Sequence, residues 1–369
     1  MAITDVASLL MKALPKYVRK EIPLLTRRSF ILDEIKKRGR ETKGNGGEDI
    51  RWRPTMKRRN LTWGPGNPNT VSFEVVNRHT AAQLDYKTCF MGEAIREIEM
   101  LALADNETAF FKKTKDVAQR CTEDFIADFG HYLYRDGVGT DKIEGLESFG
   151  GYSSTVDNEP VGDPSDTYAG ISTALGTAGD WDAPSSGGWP RAGDDPSACT
   201  YDYCYWSPLI VDYNHDDLVV DSDNESAGWD DCWVYACRYL TTYMGVLRSR
   251  KPDVIVLCPD LLRRAKDSLK KDQQFQLDGD PKDLDQGIEK LSFEGMKFAT
   301  EFGVPANTGY ALSFRDLELM TMGSDFIKVN EDTAIATMDK LYRLSWHGQL
   351  RCDTPAGFGF LKGVSTLAT

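Results

Sequence analysis

The chain has 369 residues, of which 41% are hydrophobic and 27% charged. Those proportions belong to a folded protein and exclude disorder or low complexity as its main character. Its 57 acidic and 44 basic residues leave a formal charge of −13, which argues against a general nucleic-acid binder because an acidic surface repels phosphate.

No stretch approaches the ~20 apolar residues of a membrane helix. The start, MAITDVASLLMKALPKYVRK, has no charged segment ahead of its apolar run and no small-residue cleavage site, so it does not match a signal peptide. Eight cysteines with no C-x-x-C pair make no disulfide scaffold. They are expected to be mostly reduced, buried thiols.

The net charge hides a segregation. Residues 1–60 carry 16 Lys/Arg and 7 Asp/Glu, a balance of +9. Residues 141–232 carry 2 Lys/Arg and 20 Asp/Glu, a balance of −18. Any single charge here is best read as solvated surface. Blocks of opposite sign can also steer one copy of a chain against another.

In chain order, residues 3–14 have the spacing of a short amphipathic helix, with Val6, Leu9, Leu10 and Leu14. Residues 36–49 are polar and glycine-rich and predict a loop or mobile arm. Ile50–Lys57 and Thr70–Val76 predict two strands of a long hairpin, with RRNLTWGPGNPN between them as its turn-rich tip. The flanks hold little apolar material, so this ribbon is expected to lie off the compact core. An isolated two-stranded ribbon is marginal alone and needs support from outside.

Residues 106–135 give the strongest helix pattern, with Asn106 as cap and Asp136-Gly137 as stop. Phe110, Phe111, Val117, Cys121, Phe125, Ile126, Phe129 and Leu133 recur at spacings of mostly three and four. The rod would be ~45 Å long. Residues 151–231 predict short strands and surface loops. A helix follows from about Asp230 to Leu247, with Ala236, Cys237, Leu240 and Met244 inward. Pro252–Cys258 predicts a buried strand, and Pro259 the start of the next helix. Short strands then return at Leu291–Phe293, Met296–Thr300, Thr308–Leu312, Leu317–Met322, Phe326–Val329, Leu341–Leu344 and Gly357–Gly363. The fold class is α+β.

No catalytic constellation emerges. The phosphate loop G-x-x-x-x-G-K-[ST], G-x-S-x-G and G-x-G-x-x-G are all absent. His79, His131, His215 and His347 stand in no close ligand spacing. Cys199, Cys204 and His215 match no common zinc module. Asp221-Ser-Asp223-Asn-Glu225 starts like a calcium loop, but Ser226 and Cys232 replace the glycine and glutamate it needs. A looser calcium site there or at Asp278, Asp280 and Asp283 is the remaining metal possibility. No catalytic, cofactor-binding or metal residue is assigned.

The order of elements then becomes informative: polar arm, long ribbon, rod helix, Asp-Gly stop, mixed domain, late hairpin, final strand. Tyr134-Arg-Asp-Gly137 with Ile143-Glu-Gly-Leu146 resembles the turn after the spine helix in tailed-phage major capsid proteins of the Hong Kong 97 type. Tyr168-Ala-Gly-Ile-Ser172 resembles a motif of one branch of that family. Lys251-Pro-Asp-Val-Ile-Val-Leu257 through Gln274-Phe275 resembles its strand–helix segment. Leu291-Ser-Phe-Glu-Gly-Met296 resembles the turn that follows. Trp346–Leu350 and Ala356–Gly363 resemble the closing segment. Ala311-Leu312-Ser313 departs from the Leu-Asn pair common in that branch. The resemblance covers roughly residues 48–366.

It implies a Hong Kong 97-type capsid fold in four parts. Residues 1–47 would be the N-terminal arm and 48–91 the extended loop, a β-hairpin. Residues 92–150 and 326–349 would form the peripheral domain with spine helix 106–135. Residues 151–325 and 350–369 would form the axial domain with the acidic insertion. Arg58, Arg59, Trp63 and Asn67 on the ribbon are the candidates for inter-subunit contact. No lysine follows Lys57 at the tip, so the Lys–Asn crosslink of some members is not carried over. The implied function is structural: a non-enzymatic subunit without cofactor that forms pentameric and hexameric capsomers of a virion. The shell would be assembled in a host bacterial cytoplasm and would enclose double-stranded DNA without reading its sequence. Implied partners are a portal and a separate scaffolding or decoration protein, with no membrane. Because the ribbon starts near residue 48, no leading scaffold segment is expected. An encapsulin-like cargo shell is the nearest alternative. A metal-assisted hydrolase using the acidic insertion, or a carbohydrate-binding surface built on Trp181, Trp189, Trp206 and Trp229, stands further off.

Overall fold

The computed structural model describes, apart from isolated positions, residues 26–44, 47–55, 79–98, 107–155, 162–173, 206–213, 236–245, 251–264, 292–333 and 340–363. The predicted helix over 3–14, the strand Thr70–Val76 and the candidate metal residues lie outside them.

The chain first forms a helix that its basic composition conceals. Helix α1, Phe30–Lys37, follows a short 3-10 turn at Thr26–Arg28. Its Phe30, Ile31, Leu32 and Ile35 are buried in the core. Strand β1, Glu41–Lys43, comes next. Residues 36–49 are therefore not one mobile loop: a helix end and a strand occupy them, held by a partner distant in sequence.

Strands β2, Asp49–Trp52, and β3, Ala82–Asp85, pair antiparallel, with a further bridge between Thr55 and His79. The hairpin base is present, but the partner of Ile50 is Leu84, later in the chain than expected. Nor is the base free of the core. Alternation sets Ile50, Ala82 and Leu84 on one face, where they are buried.

Strand β4, Lys87–Ile95, leads to helix α2, Glu107–Tyr132. At 26 residues this rod is about 39 Å long. Cys121, Phe125, Ile126, Phe129 and Leu133 are buried, as the periodicity predicts, and Val117 is half-buried. Short strands follow: β5, Tyr152–Thr155, pairs with β6, Gly162–Pro164, and β7, Thr167–Tyr168, with β8, Ile171–Ser172.

Two larger sheets carry the body. The six-stranded one comprises β9, Leu209–Asp212; β10, Val254–Leu257; β11, Ser292–Phe293; β12, Met296–Thr300; β13, Thr308–Leu312; and β17, Gly359–Lys362. Its order is β11-β12-β10-β13-β17-β9. All four residues of β10 are buried, as its unbroken apolar run requires. Residues 259–264 are helical from Pro259, and the described residues among 236–245 are helical, with Leu240 and Met244 against Gly359 of β17.

The five-stranded sheet contains β1; β4; β14, Leu317–Thr321; β15, Lys328–Thr333; and β16, Lys340–Cys352. Strand β16 is the spine of this sheet. One side of it pairs first with β15 and then with β14, and the other side pairs with β4. It is far longer than the expected Leu341–Leu344, and β15 begins later than Phe326. The expected boundaries at 91/92 and 349/350 each fall inside one strand, and β14 is hydrogen-bonded into the sheet of β15 and β16.

Helix α2 lies on one face of this sheet, with Phe129 against Trp346 at 4.7 Å between ring centroids. An aromatic chain runs from Tyr134 after α2 through Tyr310 and Phe360 of the six-stranded sheet to Phe149 and Tyr168, within one core that both sheets share.

Candidate assembly surfaces

Three local constructions position the outer surfaces. The first closes the C-terminal end of α2. A helix leaves its last carbonyls unpaired. Here Leu146 N–H donates to Leu133 O at 2.8 Å and Gly145 N–H to Arg135 O at 3.1 Å. A Cβ on residue 145 would sit 2.5 Å from Leu133 O, so only glycine allows the approach. A Cβ on Gly137 would collide with Ile143 O. The two glycines of the Tyr134–Gly137 and Ile143–Leu146 motifs thus serve one cap.

The second holds the ribbon base. Ala169 and Gly170 both have positive φ, 52° and 76°, as a two-residue hairpin turn with right-handed twist demands. Ala169 O accepts from Gln83 N–H at 3.1 Å. Tyr168 is fully buried, and its hydroxyl accepts from Cys352 N–H and donates to Leu350 O. Trp52 Nε1–H donates to Asp353 O at 3.1 Å. The Tyr168–Ser172 motif therefore ties the root of the ribbon to the end of β16.

The third fastens the N-terminal segment. Glu301 is half-buried and accepts from Ser29 Oγ and Tyr134 OH, both at 2.6 Å, and from Ile31 N–H at 3.3 Å. It takes the place of a side-chain cap on α1, which Ser29 does not itself supply. Burial pushes its carboxyl above the usual glutamate range, against these hydrogen bonds. Arg38 bridges to Asp253 at 3.1 Å and lies over the Phe314 ring; Arg28 meets Glu123 on α2. Arg40 donates to Arg315 O, and β1 runs parallel to β14.

Reactive chemistry is not what these groups offer. Burial pushes the Cys89 and Cys121 thiols up to about 11, so both stay protonated at neutral pH. The five described cysteines are free thiols. Among the described residues no group of three His, Cys, Asp or Glu is placed to hold a metal. His131 accepts from Arg135 Nε at 3.1 Å.

The contact candidates Arg58, Arg59, Trp63 and Asn67 lie outside the described residues, as does most of the acidic 141–232 block. The described residues nearest to them in sequence are the root of the ribbon, and the strand after it is β4, whose Phe90 is 73% exposed.

No family model and no curated protein matches the chain. Solved structures do. A chain of the cyanophage A-1(L) capsid asymmetric unit superposes with a TM-score of 0.57 at 14% identity, over 94% of this chain and 93% of that one. The capsid of a native GTA particle gives 0.52 at 12% identity over 89% of each chain, and that of an empty GTA particle 0.50 at 13% over 89% of each. This chain has the Hong Kong 97-type capsid fold. The α+β class and the resemblance drawn from the motifs are both borne out.

Two features of this capsid fold escaped sequence reasoning. Helix α1 had a readable signal, Ser29 before Phe30, Ile31 and Ile35 at helical spacing. The open edge of β4 had none, because which strand ends a sheet is decided by topology.

Proposed function

We propose that the chain is the major subunit of a tailed-phage head, self-assembling through pentameric and hexameric capsomers into an icosahedral shell around double-stranded DNA. The observation that carries this reading is the match of fold along 94% of the chain to the cyanophage capsid subunit. The ribbon rooted at β2 and β3 supports it, since such an element suits a closed shell in which neighbouring copies complete one another. The charge of −13 suits a container, which must release what it packs.

In this reading α2 and the five-stranded sheet form the peripheral part and the six-stranded sheet the axial part. The ribbon with Arg58, Arg59, Trp63 and Asn67 reaches a neighbour, and the partners are a portal and a scaffolding or decoration protein. The subunit acts by assembly in the virion and catalyses nothing. Negative-stain microscopy of the expressed protein tests it. Rings or closed shells are expected, and a monomer under all conditions overturns it. An encapsulin-like shell would instead fill with a co-expressed protein cargo and exclude DNA.

A further inference from the structure

Strand β4 ends the five-stranded sheet, and its backbone shows which groups are left over. In an antiparallel pair the N–H and C=O of one residue point to the same side, and the side alternates along the strand. Met322 N–H donates to His347 O at 2.8 Å, so odd-numbered residues of β16 bond toward β14. The even-numbered Leu344, Trp346 and Gly348 therefore bond toward β4, where they oppose Met91, Cys89 and Lys87. The N–H and C=O groups of Thr88, Phe90 and Gly92 point the other way. No strand among the described residues pairs with them.

The same stretch carries the exposed Phe90. Beside it lies a groove of about 370 Å³, walled by Phe125, Phe129 and Tyr132 of α2 and by Ile143. An edge of nine residues without proline is a template for another strand.

The order of residues along β4 indicates which strand. Laid antiparallel on itself about Phe90, β4 sets Lys87 opposite Glu93, Thr88 opposite Gly92 and Cys89 opposite Met91. Both ends of the pairing then join opposite charges. The centre falls on a residue whose N–H and C=O face the free edge, as a hydrogen-bonded pair requires. Charge thus selects one register among those that the backbone direction allows. Within its own chain Glu93 feels Asp124 as well as Arg120, and burial and Asp124 raise its pKa. Lys87 Nζ donates to Thr140 O and stands near Glu144.

We propose that β4 is a two-fold contact, pairing antiparallel with β4 of a second copy about Phe90 and joining two sheets into one. The choice of a second copy as occupant rests on the shell reading. The self-complementary contact is of the isologous kind found at two-fold axes.

A disulfide reports the register directly. Opposed residues of such a pair have Cα atoms ~5.5 Å apart, within disulfide reach. Phe90→Cys in a Cys89→Ser background, assembled and oxidised with copper–phenanthroline, should give mostly covalent dimer, with residue 90 joined to residue 90 by mass spectrometry. Ala94→Cys in the same background should not, because the two copies of that position would be about 27 Å apart at the rise of a strand. Lys87→Glu alone and Glu93→Lys alone should each weaken association roughly tenfold, and the double swap should restore it. Gly92→Pro removes one donor from the free edge and leaves the β16 ladder intact, so it should yield a folded subunit that loses the contact.

Normal particles with no dimer through residue 90 overturn the edge contact and leave the shell reading standing. Dimers through residue 90 without particles sustain the contact and overturn the shell reading. Particles in which Phe90→Cys joins only Arg59→Cys of a neighbour assign the edge to the ribbon and overturn the two-fold pairing.

Discussion

Two edge strands of the five-stranded sheet, β1 and β4, are treated by the chain in opposite ways; β15 is a third. At one edge lies β1, three residues long and bearing Glu41 and Lys43. A short, charged strand is a blunted edge, and the segment behind it is fastened by α1, Glu301 and Arg38. At the other edge lies β4, nine residues long, with Phe90 in the open. Each stretch carries one acidic and one basic residue. One is completed inside its own chain, and the other is left for a neighbour. A charge count cannot make that distinction; pairing and burial can.

The comparison is broken most forcefully by undocking the N-terminal segment. Phe30 is buried and meets Phe314 edge-on at 6.4 Å. Phe30→Ala should cost about 3–5 kcal/mol of subunit stability in urea unfolding. Gly145→Ala acts on the frame common to both edges. The added methyl has no room against Leu133 O, and a loss of about 1–3 kcal/mol is expected. Arg38→Ala removes two surface bridges, to Asp253 and Glu34, and one ring contact, so about 1 kcal/mol should be lost.

The clasp at Glu301 gives a pH signature. Its carboxyl is raised by burial, so the folded state holds the proton more tightly than the unfolded one. The stability linked to it is full below the ordinary glutamate value of 4.5 and is lost as pH rises through the folded value. Melting temperatures of wild type and Glu301→Gln, followed between about pH 4 and pH 8, should therefore shift against the wild type as pH rises. A constant difference would show that Glu301 titrates alike in both states. The smallest effect on the subunit belongs to Arg58→Glu with Arg59→Glu. Folding should change by less than about 0.5 kcal/mol, while assembly should weaken. The wild-type assembly should itself weaken with salt, because exposed charges are screened over ~8–10 Å. Normal shells from that double variant would refute a role for these arginines.

Much of the fold was legible where one period dominates. The heptad-like run from Cys121 to Leu133 found α2, and the apolar runs Val254–Leu257 and Thr308–Leu312 found β10 and β13. Strand β16 was not legible at its full length because Gly348 and Gln349 interrupt its apolar pattern. Gln349 is fully buried, yet it accepts from Glu144 N–H and donates to Asp85 O, a satisfaction no pattern shows. Helix α1 was hidden by its lysines and arginines, whose charged ends reach Asp33, Glu34 and Asp253 while the opposite face is apolar. Of the contact surface, the sequence supplied the ribbon and its arginines. The free edge of β4 depends on which strands lie beside β16, a matter of long-range pairing.

Amide hydrogen exchange on the isolated subunit and on assembled particles tests the contrast between the two edges most directly. Residues 30–43 should be protected already in the isolated subunit and change little on assembly. The amides of Phe90 and Gly92 should exchange freely in the subunit and become protected in the particle. Free exchange of residues 30–43 in the subunit, or amides of Phe90 and Gly92 already protected there, would contradict it.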